Sequence, residues 1–238
     1  MGKILTKHQI DEILADIVVA GGDYADPECV YRRILAEKEK CHGPGHPEVA
    51  RTAASLALVL FYMNRKIESD EILTKAEKIL ATAGEASDAV FETKRVLAKL
   101  YRLKEDHVRS EAAYEDVVEY LENAEGSDNE LLLDPLLYLG AVYVKTEKFA
   151  LSEICWKRVI EIDTSHLRSE VTWIEAITAA EFLHEIAREY SVQGHIARAK
   201  TLLRWLLDNM KDNSGLSGRL RLGIQQEYDA LHGEFKDT

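Results

Sequence analysis

A small residue recurs along this chain beside a large aliphatic one, at Leu14-Ala15, Leu56-Ala57, Leu97-Ala98, Leu139-Gly140 and Ile186-Ala187, with steps of 42, 41, 42 and 47 residues between the small members. One turn later each pair is followed by Val18, Leu60, Tyr101, Tyr143 or Tyr190. A second apolar stripe then follows at helical spacing. It reads Ser69, Leu73 and Ala76 in the second copy, Ser110, Tyr114 and Val117 in the third, and Ser152, Trp156, Val159 and Ile162 in the fourth. The fifth gives Ala199, Leu203 and Leu206, and the first is looser, with Tyr24, Tyr31 and Ile34. Two antiparallel helices approach closely only where one presents Gly or Ala, so the small positions are expected contact points. Residues at i, i+3, i+4 and i+7 make a stripe that must be buried. A lone hairpin cannot bury its own stripe, so neighbouring copies must stack. The pattern therefore predicts an all-α array of about five helical hairpins.

Punctuation agrees with that register. Asp26-Pro27 and His46-Pro47 are expected helix starts, with Pro at the first position. Ser87 and Thr164 are expected N-caps, and Gly22 and Gly194 fall in inter-helix turns where positive φ is easily adopted. After Asn213-Ser214-Gly215 a last amphipathic helix, 216–235, carries Leu220, Ile224, Tyr228, Leu231 and Phe235 on one face. It is expected to cap the fifth repeat's apolar side. No linker interrupts the pattern, so 1–238 reads as one domain, with repeats near 6–42, 47–83, 87–124, 129–163 and 165–211.

At these positions the chain resembles the tetratricopeptide repeat (TPR) family. Its step exceeds that family's usual length of about 34 residues and is similar to the kinesin-light-chain-type variant with longer helices. The best local match is Val30 to Phe61, where Tyr31-Arg32-Arg33 and the loop from Gly43 to Ala50 resemble that variant's junction between repeats. The resemblance implies a right-handed α–α superhelix, or solenoid, in which the first helix of each repeat lines an inner groove. It also implies a protein-binding adaptor or scaffold, with self-assembling structural protein or regulatory subunit of an enzyme as alternatives.

The family's inward helix positions map a candidate peptide groove onto Leu58, Phe61 and Tyr62 in the second repeat and Arg95, Lys99 and Arg102 in the third. Leu137 with the adjacent Tyr138 in the fourth and Arg188 in the fifth complete it. Arg95, Lys99 and Arg102 also share one helix face at i, i+4 and i+7, in a chain of net charge −12. A basic centre between apolar walls suits a peptide with acidic and hydrophobic residues. The opposing reading pairs these cations with Glu92 and neighbouring acids, and packs Phe61 and Tyr62 between repeats. The family's Asn pair, which holds a ligand's backbone, is replaced here by Ala54-Ser55 and Arg95-Val96.

Other chemistry is sparse. The sequence has no phosphate-binding Gly loop, no G-x-S-x-G and no H-E-x-x-H, so neither catalysis nor a cofactor is expected. Cys41-His42 with His46 has the look of a metal pair, but without a second cysteine pair His46 reads as a helix-start residue. His184, Glu185 and Arg188 read as a solvated helix face rather than a groove cluster, and Cys155 as a small core residue. The acidic balance argues against nucleic acid and anionic lipid. Three unpaired-looking cysteines and the lack of an apolar leader or span point to a cytoplasmic protein.

Overall fold

A computed structural model describes residues 25–84, 87–165, 173–209 and 217–233. Among them the regular structure is helical throughout. The chain divides into two units, Met1–Val117 and Val118–Thr238. The first holds α1 (Ala25–His42), α2 (Pro47–Tyr62), α3 (Lys66–Leu80), α4 (Asp88–Leu103) and the start of α5 (His107–Glu125). The second holds the end of α5, a 3-10 turn at Glu130–Leu132, and then α6 (Leu133–Lys145), α7 (Phe149–Ser165), α8 (Trp173–Val192), α9 (Ile196–Asn209) and α10 (Ser217–Gly233). In the first unit α2 packs on α1, α3 and α4. In the second, α6 pairs with α7, α8 packs on α7 and α9, and α10 lies on α9 and touches α8.

The small-residue register is the core. Ala57, Ala98 and Ala187 are fully or almost fully buried, as are Leu56, Leu60, Leu97, Tyr101, Tyr143, Ile186 and Tyr190 around them. Twelve residues after the small position the second helix brings a serine against it: Ser69 Oγ donates to the Ala57 carbonyl at 2.7 Å, Ser110 Oγ to Ala98 at 3.1 Å and Ser152 Oγ to Gly140 at 2.9 Å. A large side chain at either position would hold the helices too far apart for this bond. In the fifth copy Ala199 keeps the close approach without the hydroxyl and is fully buried.

Gly140 is the one small residue that is not Ala, and its neighbour explains why. The Trp156 indole crosses directly over it and donates from Nε1 to the Leu137 carbonyl at 2.9 Å. A Cβ on residue 140 would overlap that ring. Copies with Ala at the small position carry Tyr31, Leu73, Tyr114 or Leu203 where Trp156 stands.

The hairpin turns repeat too. Asn64, Glu105, Glu147 and Gly194 each stand seven residues after the small position, with φ of 60°, 61°, 59° and 80°. Each closes its helix with the two bonds of a Schellman motif. The longer-reach bonds are Arg65 N to Leu60 O, Asp106 N to Tyr101 O, Lys148 N to Tyr143 O and His195 N to Tyr190 O, at 2.7 to 2.9 Å. Only Gly194 announced this geometry in sequence.

Helix starts are partly as expected. His46 caps α2, its Nδ1 accepting from Glu48 N at 3.2 Å with Pro47 at the first position. Ser87 caps α4 by accepting from Val90 N at 3.3 Å. Thr164 does not start a helix, because α7 runs through it to Ser165. Asp26 lies within α1, which already includes Ala25, so Pro27 is not its first residue. The first repeat's Leu14-Ala15, with Val18, Gly22 and Tyr24, lies outside the described residues, while Tyr31 and Ile34 are buried. In α10 Ile224 is fully buried, with Leu220, Tyr228 and Leu231 half-buried. Phe235 lies outside the described residues.

These contacts set two expectations for stability. Gly140→Ala should lower stability by ~1–3 kcal/mol through overpacking. Adding Trp156→Leu, the pairing found in the second and fifth copies, should make the double variant less destabilised than the sum of the two singles. Denaturant unfolding of all four proteins gives that coupling. Glu105→Gly should stabilise by about 0.5 kcal/mol by relieving a left-handed non-glycine residue, and Gly194→Ala should cost about 1 kcal/mol. Thermal melts of the two variants, shifted in opposite directions, check this.

Candidate functional site

α2 and α4 carry the candidate residues of the first unit, Phe61, Tyr62, Lys99 and Arg102 among them near the helix C-termini. α2, PEVARTAASLALVLFY, is apolar nearly all round because three helices cover it. Its last turn leaves Phe61 and Tyr62 only partly covered, edge-to-face with ring centroids 6.4 Å apart. α4 is strongly two-faced: Leu97, Ala98, Leu100 and Tyr101 point into the core. Arg95, Lys99 and Arg102 leave on the other side. The structure brings the last two to Tyr62. Lys99 Nζ stands over its ring at 5.9 Å, the outer range of a cation–π contact. Burial pushes the Tyr62 phenol above its ordinary pKa, and the charge of Arg102 pulls it part of the way back.

Arg95 is 55% exposed and bonds Glu92 on its own helix at 2.7 and 3.0 Å. Exposed pairs of this kind contribute little, on the order of 0.5 kcal/mol, so the guanidinium can exchange this partner for another carboxylate at small cost. Of the Asn-pair positions, Ala54 is fully buried and Ser55 half-buried.

The remaining candidates are placed differently. Leu58 and Leu137 are buried, and Leu58 belongs to the core of the first unit. Tyr138 is half-exposed on α6. Arg188 is engaged by the last helix: Glu227 of α10 accepts from its Nε at 2.5 Å, and Glu185 from its Nη1 at 2.9 Å. His184 is buried at 5% exposure, with Nε2 2.8 Å from the other Glu227 oxygen. The expectation of a solvated face is therefore corrected for His184, while Glu185 and Arg188 remain exposed, as expected. His184 is covered by α10, Arg188 reaches that helix from the rim of the contact, and the two hold it through one carboxylate. The signal was Glu227 beside the apolar stripe of the last helix, which has meaning only once its partner helix is known.

His46, besides capping α2, stacks on His42 with centroids 4.7 Å apart. Cys29 and Cys41 are exposed free thiols and Cys155 is buried. Among the described residues no three His, Cys, Asp or Glu side chains converge as a metal site would need, and no helix is long and apolar enough to cross a membrane. The second unit has a concavity lined by Phe149 and Tyr190 that was not legible in sequence, because Tyr190 reads there only as a register residue.

The repeat geometry has solved counterparts. A substituted form of a putative kinesin light chain with nearly identical TPR-like repeats from Podosopora anserina is 19% identical, with a TM-score of 0.61 over 87% of this chain and 97% of that one. The unsubstituted Podosopora anserina protein is 20% identical, with a TM-score of 0.61 over 86% of this chain and 96% of that one. BtubC (BKLC) of P. vanneervenii is 20% identical, with a TM-score of 0.59 over 86% of this chain and 81% of that chain. The chain thus has the TPR-like helical-repeat fold of kinesin-light-chain-like structures. No protein-family model and no curated protein matches it.

Arg102→Gln should raise the Tyr62 phenol pKa further, since it removes the cation that favours the phenolate. NMR of ring-labelled tyrosine, with Tyr62→Phe to assign the signal, measures the midpoint. An unchanged midpoint would mean that the guanidinium does not face the ring.

Proposed function

We propose that this protein is a non-catalytic adaptor or scaffold that holds a partner's peptide segment against the α2–α4 face of its first unit. One observation carries the reading: Tyr62, only half-covered, is flanked by the cations Lys99 and Arg102 in a chain of net charge −12. Phe61 supplies an apolar neighbour, and Arg95 lies further along the same helix face. Such a face favours a segment carrying carboxylates beside hydrophobic side chains, with the charges steering approach and the aromatic surface holding the contact. Tyr138, next in sequence to the buried Leu137, is the matching candidate in the second unit. Arg188 acts in this reading through the capping helix rather than by touching the ligand. The TPR-like fold supports a binding role, since repeats of this kind commonly mediate protein interactions. Free thiols at Cys29 and Cys41 support a reducing, cytoplasmic setting.

The test is affinity capture from the native host with quantitative mass spectrometry, comparing the wild-type chain with Arg95→Glu/Lys99→Glu and with Arg102→Gln. Both variants should lose specific partners by about tenfold, equivalent to roughly 1.4 kcal/mol, while the circular dichroism spectrum stays unchanged. Capture should also weaken with added salt. Equal capture by well-folded variants would refute the assignment of this face.

A further inference from the structure

We propose that the turn edge of the second unit carries a binding cleft of its own, which takes a peptide segment of a partner protein where a carboxylate side chain neighbours an aromatic or aliphatic one. A solvent-open cavity of about 440 Å³ lies there, between the α6–α7 turn and the C-terminal end of α8. Its floor is the Tyr190 ring, set edge-on to Phe149 and to His195 with centroids 6.5 Å from each. Leu151, 42% exposed, forms an apolar wall. Lys148 and Arg198 line the same space, and the Arg198 guanidinium lies over Tyr190 at 4.6 Å.

The repeat supplies an internal comparison. At the same repeat positions the first unit has Lys66, Glu68, Lys104 and Asp106 where the second has Phe149, Leu151, Gln193 and His195. In the first unit ion pairs tie this edge together. Lys104 pairs with Asp70, Arg65 with Glu68 at 2.6 Å, and Arg109 with Glu77 at 2.8 Å and Asp106 at 2.6 Å. In the second unit these ties are gone. Gln193 turns back to Glu189 on its own helix at 2.8 Å, and the position of Glu77 is the buried Ile160. Arg198, which matches Arg109, reaches a single carboxylate among the described residues, Glu153, at 3.8 Å. The substitutions thus exchange the ion-paired Glu68, Lys104 and Asp106 for Leu151, Gln193 and His195 while keeping an arginine stacked on the tyrosine.

Among the described lining residues two cations and a histidine stand against one carboxylate, Glu147. Glu153, 3.8 Å from the Arg198 Nε, offsets one of these cations, so a carboxylate is taken through the Arg198 guanidinium itself rather than through a net positive charge. A guanidinium held flat on a ring presents its N–H edge for a bidentate carboxylate contact. The volume suits one side chain with its flanks rather than a folded domain, and Phe149 and Leu151 offer the apolar side of that contact over the buried Tyr190.

The test titrates the full chain, methyl- and amide-labelled, with the capped peptide acetyl-Gly-Asp-Phe-Gly-amide and, in parallel, with acetyl-Gly-Lys-Phe-Gly-amide. The first peptide should shift the Leu151 methyls and the Gln193 side-chain amide saturably, and the second should bind at least about tenfold more weakly. Arg198→Gln should abolish the preference between the two peptides. Leu151→Glu/Gln193→Lys/His195→Asp, which rebuilds the first unit's charges, should weaken the Asp-Phe peptide about tenfold with thermal unfolding unchanged. If the triple variant does not fold, the Arg198→Gln result decides. Equal response to both peptides, an Arg198→Gln protein that still discriminates, or shifts confined to Tyr62 and Lys99 would overturn the proposal. None of these substitutions touches the α2–α4 face.

Discussion

The hydroxyl of Ser69 meets the Ala57 carbonyl at 2.7 Å, and Ser110 and Ser152 make the same contact with Ala98 and Gly140. This bond requires two backbones so close that neither helix can carry a large side chain at the crossing. That single steric requirement fixes the hairpin, since it sets which residues of each helix face one another. The large residues one and two turns away are then forced into the remaining space. The hydroxyl also matters chemically: it is the polar side-chain atom of the crossing, and the carbonyl satisfies it without any opening to water. Where the fifth copy uses Ala199, closeness is kept and the polar bond is dispensed with, so closeness is the more general of the two constraints.

Polar residues between hairpins act more selectively. In the first unit Arg32 and Arg65 share Glu28 and Glu68, and the hydrogen bonds from both arginines hold Glu28 below its ordinary pKa against a burial effect that raises it. Lys38 and Arg51 likewise share Glu48. In the second unit Glu227 binds both His184 and Arg188 and anchors the last helix over the fifth hairpin. Each pair is worth little alone at the surface. Their value lies in register, because a carboxylate shared by two bases fits only one alignment of the helices that carry them. A candidate binding surface lies where an aromatic ring stands among cations, as at Tyr62 and again at Tyr190.

Much of this was legible beforehand. Small residues spaced about 42 apart, with aromatic and aliphatic residues at helical offsets, located the buried positions, and His46-Pro47 and Ser87 marked helix starts. Other features were not. Glu105 and Glu147 sit in left-handed turns without a glycine to advertise them, held there by Schellman bonds that depend on the hairpin around them. Thr164 resembles a cap in sequence, yet α7 continues through it, because cap chemistry acts only where other forces end the helix. Leu58 and Leu137 stand at inward positions of the repeat pattern and are nonetheless buried, since neighbouring helices close over them.

By itself the sequence determined the hairpins, their spacing and most of the core, because a fixed period of small and large residues permits only one way of burying them. It also placed Arg95, Lys99 and Arg102 on one helix face, as helical periodicity requires. Only the tertiary structure decided which of those charges meets an aromatic ring, that Arg188 belongs to the capping contact, and that Phe149, Tyr190 and Arg198 surround an open cleft. Those outcomes rest on pairs of residues far apart in the chain, such as Tyr62 with Lys99 and His184 with Glu227. Local spacing carries no information about such pairs, whose distances are set by how whole helices pack.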